Sequence, residues 1–168
     1  GTFYQFMPPF LKTYLHFNDD KLSLYIGMIS FWLLIGSSIG IKWLQRFFNT
    51  PNILITSLFA LTFGYTIILF ALCGDNAYNE TLFWLSAIPI AMVDVISFVC
   101  ISTYYSNVVP RSAQGSVMGF CLIIRSLAWG ASSVLGGFFI SLSPFLLFFI
   151  AFLFLALTLL MIYHPYGQ

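Results

Sequence analysis

Charge is scarce in this chain, with six Lys and Arg and five Asp and Glu among 168 residues. A net charge of +1 offers neither a basic patch nor an acidic tail, so no nucleic-acid partner is expected. Cysteine is equally sparse. Cys73, Cys100 and Cys121 stand alone in apolar stretches, without CxxC spacing or nearby histidines, and read as packing residues. The two histidines, His16 and His164, fall at the edges of apolar runs. The sequence therefore predicts no metal site and no cofactor. It also lacks a basic leader region, opening Gly1-Thr2-Phe3-Tyr4-Gln5-Phe6, and so reads as a cut end.

Apolar side chains are what the chain has in excess: 60% of residues are hydrophobic, 20% are aromatic, and the mean hydropathy is +0.96. A water-soluble globule of this size has no interior large enough to hide them, which points to an all-α, polytopic membrane protein. A bilayer crossing needs roughly 20 apolar residues, and on that measure the runs divide into six segments. They cover about Gly1–Phe17, Ser23–Ile41, Asn52–Gly74, Thr81–Ser106, Gln114–Ile140 and Phe145–Tyr163. The first, at about 26 Å by helical rise, falls short of a full crossing and reads as truncated. No soluble domain or long linker remains, so residues 1–168 are expected to form a single six-helix transmembrane domain.

The connections alternate in charge. Lys42, Arg46 and Arg111 lie in the second and fourth, whereas Asp19, Asp20, Lys21, Asp75 and Glu80 lie in the first and third. Basic connections belong in the cytoplasm, which predicts a cytoplasmic carboxyl terminus. A three-plus-three repeat is also suggested. Helices one and four carry interior prolines, Pro8-Pro9 and Pro89, and helices two and five carry Gly36/Gly40 and Gly115/Gly119. Prolines at matching places predict broken helices around a binding region, and the paired glycines predict close helix packing.

Only Asp94 and Arg125 place a charge deep within an apolar run. Such residues are expensive in lipid and usually face a partner or a watery cavity. Asp94 falls about 20 Å below the outer end of helix four, and Arg125 about 16 Å above the inner end of helix five. For antiparallel neighbours the heights agree, so a salt bridge is expected at mid-depth. Gln5 and Tyr4 reach a similar depth on helix one, and Trp129 and Trp32 on helices five and two. These six residues form the predicted substrate or proton pathway, with Asp94 exchanging a proton or cation and Arg125 holding its charge or an anionic group.

The run from Tyr104 to Gly119, with its Pro110, Gln114, Gly115 and Gly119 pattern, followed by Gly136-Gly137 and Ser143-Pro144, resembles the tenth-to-twelfth helix region of major facilitator superfamily (MFS) transporters. It is similar to the drug and proton antiporter branch. The resemblance implies the carboxyl-terminal half of a twelve-helix transporter, built of two three-helix repeats, with a missing amino-terminal half as its partner. It implies alternating access, proton-coupled efflux of a small-molecule substrate, and a place in the bacterial inner (plasma) membrane. Helices one, two, four and five would then line a cavity, and three and six would face lipid. The loop from Gly40 to Arg46 lacks the acidic and second glycine positions of the family's inner-loop motif.

Two other classes compete. One is a non-catalytic membrane scaffold or subunit in which Asp94 and Arg125 pair only for assembly. The other, an intramembrane serine protease, would use Ser132 beside Gly130, but both histidines lie at membrane surfaces on other helices, far from hydrogen-bond reach. The chain is expected not to be an enzyme.

Overall fold

A computed structural model describes the backbone of residues 1–74 and 79–166 and the side chains of 1–74 and 80–162. The elements are α1 (Thr2–Tyr14), α2 (Asp19–Ile35), a π turn (Gly36–Gly40), α3 (Ile41–Phe47), α4 (Thr50–Cys73), α5 (Asn79–Val108), a 3₁₀ turn (Arg111–Ala113), α6 (Gln114–Leu142) and α7 (Pro144–Tyr166). Five helical stretches among the described residues are long and apolar enough to cross a bilayer: Asp19–Phe47, Thr50–Cys73, Glu80–Val108, Arg111–Leu142 and Pro144–Ile162. The protein is an all-α, polytopic membrane-spanning bundle.

The short first helix is an addition to those five. At 13 residues, α1 rises about 20 Å, less than a hydrocarbon core. It stops because His16 adopts a left-handed backbone (φ 52°), turning the chain so that the Phe17 N–H donates back to the Leu11 carbonyl at 3.2 Å. Asn18 then caps α2 by accepting from the Lys21 N–H at 3.0 Å. Exposed ion pairs brace this end: Lys12 with Asp19 at 2.8 Å, and Lys21 with Glu80 at 3.1 Å. Asp75 and the side chain of His164 lie outside the described residues.

Three sequence expectations require correction. Lys42 and Arg46 do not sit in a connection; they are exposed on α3, which continues the second span to Phe47. Long cationic side chains can reach solvent from a helix end, so charge alone does not terminate the helix. Nor do the prolines break their helices. α1 runs through Pro8-Pro9 and α5 through Pro89. Each proline withholds one helical N–H donor, a loss that neighbouring helices and side chains can absorb in a bundle. The irregular place is instead Gly36–Gly40, where the hydroxyls of Ser37 and Ser38 both donate to the Leu34 carbonyl, at 3.0 and 2.6 Å.

α4, expected against lipid, buries Ile53, Ser57, Leu61, Tyr65 and Ile68 and leaves Phe59, Phe63 and Phe70 bare on its other side. It packs on α5 and α7, with Ser97 donating to the Ser57 hydroxyl at 2.8 Å across the α4–α5 seam. The main core joins α1, α2, α4, α5 and α7 through Phe3, Met7, Tyr25, Tyr65, Phe83 and Phe148. A smaller cluster of Ile53, Ile96 and Cys100 lies apart from it. By contrast, α6 buries only Gly136.

The glycines explain two of these contacts. Gly36 brings the π turn against the backbone of Met92 on α5, so closely that a β-carbon there would collide with the Met92 carbonyl. Gly136 admits the Phe6 ring, which seats α1 on α6. A β-carbon added at Gly115 or Gly119, paired with Gly36 and Gly40 in the sequence, would meet nothing within 4 Å beyond its own helix, so the expected close packing is absent there among the described residues.

Candidate functional site

α5 and α6 lie side by side, and their one deep charge each falls at the same level. An Arg125 guanidinium nitrogen sits 3.7 Å from Asp94 Oδ2, with side chains 36% and 29% exposed. That separation makes an ion pair but exceeds hydrogen-bond length. The guanidinium instead lies over the Phe98 ring at 4.1 Å, with the Trp129 ring 5.9 Å away. Phe98 is one turn beyond Asp94 on α5, and Trp129 one turn beyond Arg125 on α6, so helical spacing alone aligns them.

α1 covers the Trp129 side of this cluster. Tyr4 stacks on Trp129 with centroids 6.4 Å apart and planes 18° from parallel. Gln5 Nε2 donates to the Trp129 carbonyl at 3.4 Å, and the Thr2 and Ser132 hydroxyls pair at 3.0 Å. The Tyr4 hydroxyl and Gln5 Oε1 are buried and have no hydrogen-bond partner among the described residues. Five of the six sequence-predicted residues, Asp94, Arg125, Trp129, Tyr4 and Gln5, thus come together. Trp32 does not join them: it packs against the main core and meets Phe31 edge-on at 5.6 Å.

Two cavities meet at Asp94. The larger, about 420 Å³, lies between α5 and α6 and is lined by Asp94, Ser97, Phe98, Tyr105, Cys121 and Arg125, among others. The smaller, about 230 Å³, lies among α1, α4, α5 and α7, with Tyr4, Tyr65, Ile90 and Asp94 on its walls. Small-ligand sites run to roughly 300–1,000 Å³, which the larger cavity reaches and the smaller does not. Asp94 borders both spaces, whereas Arg125 borders only the larger.

A third cavity of about 380 Å³, lined mainly by apolar residues such as Leu54, Ile101 and Met161, runs between α4, α5 and α7 toward Tyr104. No group of three or more His, Cys, Asp or Glu that could hold a metal ion occurs among the described residues. Ser132 is hydrogen-bonded to Thr2, and His16 is exposed in the α1–α2 turn.

Phe98 and Tyr65 were not singled out by the sequence. Phe98 was findable, because any aromatic four residues from a mid-span aspartate on a helix shares its face. Tyr65 was not, since its place depends on how α4 packs against α1 and α5. No protein-family model, curated protein or solved structure matches this chain.

Proposed function

We propose that the chain is one half of a secondary active transporter working by alternating access, with Asp94 as its proton-carrying group. The observation that carries this reading is a partly exposed ion pair on adjoining spans whose carboxylate borders two separate cavities. A charge kept at membrane depth without full enclosure suits a group that changes partners, because a purely structural pair gains from being sealed and fully hydrogen-bonded. Protonating Asp94 removes the negative partner of Arg125 and frees the guanidinium for another anion. Losing the proton restores the pair. That two-state exchange is the chemistry a coupled transporter requires.

The resemblance of Tyr104–Gly119 to MFS transporters supports a carboxyl-terminal, six-helix half built of two three-helix repeats, with α1 as its first helix. In that arrangement the bare face of α6 meets the amino-terminal half, and the carboxyl terminus lies in the cytoplasm of a bacterial inner membrane. The substrate is a small molecule bound between the halves beside Phe98, Tyr105 and Arg125.

The test is Asp94→Asn in the full-length transporter, reconstituted in vesicles with an imposed pH gradient. Proton-coupled flux should be lost while membrane insertion and yield are unchanged. Coupling that persists in this variant defeats the reading.

A further inference from the structure

We infer that the α5–α6 cavity takes an organic anion, a carboxylate on an aromatic or apolar body, and that its binding is balanced by a proton taken up on Asp94. The inference rests on the transport reading above and deepens it by naming the substrate class and the sign of coupling.

The donors of Arg125 carry it. A guanidinium has five N–H groups in a planar fork and cannot discharge itself by losing a proton. Among the described residues none of these donors makes a hydrogen bond, and the one ionic contact, to Asp94, is 3.7 Å long. Phe98 lies against the guanidinium, supplying a flat apolar surface at 4.1 Å. A carboxylate matches the fork with two parallel hydrogen bonds, and an aromatic body attached to it would continue onto Phe98 and Tyr105. A cationic ligand fits worse, because a route to Asp94 through this cavity passes a like charge less than 4 Å away.

Charge balance then fixes the coupling. Asp94 and Arg125 together are neutral. An anion entering the cavity adds one negative charge, and in a space of low polarity the site returns to neutrality when the Asp94 carboxylate takes one proton. The products are a protonated Asp94 and an Arg125–carboxylate pair, so atoms and charge balance with no other reactant. The smaller cavity, which Asp94 borders on the same face of α5 but toward α1, α4 and α7, gives the carboxylate a second space from which to take the proton.

The titratable groups facing Asp94 are compatible with this exchange. α1 presents the Tyr4 hydroxyl, α4 presents Tyr65, and α6 presents Arg125 and Cys121; Tyr105 lies farther along α5 itself. From α7 come only Ala151, Phe154 and Leu155. None of these supplies a second carboxylate, which leaves Asp94 as the acceptor. Anion and proton consequently bind together and travel together, opposite in sign to the antiport that the family resemblance implies.

The experiment uses the purified full-length transporter with radiolabelled 2-naphthoate, and with 2-naphthamide and 2-naphthylmethylamine as neutral and cationic controls of the same shape. Binding and proton uptake from weakly buffered solution are measured together, followed by flux of each compound in vesicles. Naphthoate should bind at least tenfold more tightly than either control, with one proton taken up per anion. Arg125→Gln should weaken naphthoate binding at least tenfold, and Arg125→Lys, which keeps the charge but loses the fork, should fall between. Asp94→Asn should keep naphthoate binding and lose the proton uptake. Binding kept in Asp94→Asn and partly kept in Arg125→Lys shows that these two are folded, and a monodisperse elution profile in detergent matching the parent shows it for Arg125→Gln.

Naphthoate binding without proton uptake, or undiminished in Arg125→Gln, overturns the inference. Preferential, Asp94-dependent binding of the amine overturns it while leaving the transport reading intact. Absence of both binding and flux for naphthoate overturns the inference, while the transport reading stands or falls on the coupling of Asp94→Asn.

Discussion

Gly36→Ala tests the packing that holds the π turn beside Asp94. A β-carbon at this position would overlap the Met92 carbonyl oxygen and stand 2.9 Å from the Met92 α-carbon and 3.0 Å from its carbonyl carbon. Ordinary carbon contacts lie at about 3.5–4.0 Å, so the two helices would have to part by roughly 0.5–1 Å. Both sides of the contact are backbone, and no side chain can rotate out of the way. Overpacking of this kind costs about 1–3 kcal/mol, against which alanine returns up to about 1 kcal/mol of helix propensity. A net loss of about 1–2 kcal/mol follows, a roughly five- to thirtyfold shift in the folding equilibrium.

Two other glycines provide internal controls. In Gly136→Ala the nearest atoms belong to the Phe6 ring, a side chain that can shift where backbone cannot, so its loss should be smaller. Gly119→Ala faces open space and should be neutral or stabilising by up to about 1 kcal/mol. Reversible unfolding in mixed micelles, followed by tryptophan fluorescence, ranks the three. Gly36→Ala as stable as the parent, or less harmful than Gly119→Ala, would refute the reasoning.

The Ser57–Ser97 hydrogen bond should show a coupling of about 0.6 kcal/mol, and no more than about 1.7, in a double-mutant cycle with alanine; zero coupling would mean the hydroxyls do not meet. Thiol labelling should distinguish the three cysteines: Cys73, exposed at the end of α4, reacts first with a bulky hydrophilic maleimide, Cys121 reacts with small reagents that enter the α5–α6 cavity, and buried Cys100 stays unreacted. Equal labelling of Cys100 and Cys121 would contradict their placement.

The apolar runs made the long helices legible, with α6 beginning at Gln114 as expected and α4 within two residues of its expected start. Those signals are local, because a bilayer requires a long uninterrupted apolar stretch whatever surrounds it. The Asp94–Arg125 meeting was also readable, since helical rise converts position in the chain into depth. What failed depended on neighbours. Pro89 was expected to interrupt α5, yet its ring rests against Gly64 on α4 and the helix continues. Gly115 and Gly119 resemble the Gly36/Gly40 pair in spacing, but spacing does not reveal which helix, if any, comes close. Trp32 and Trp129 were placed together by depth alone, and azimuth around the bundle separates them.

The π turn has a consequence for how this membrane span tolerates change. A single widened turn holds one residue more than an ordinary helix would need to reach the same point, so the stretch from Asp19 to Phe47 carries a spare position between Gly36 and Gly40. Deleting one residue there converts the turn to regular α-helix without rotating Lys42, Trp43 or Arg46 out of register. The same deletion elsewhere in the span swings everything beyond it by about 100°.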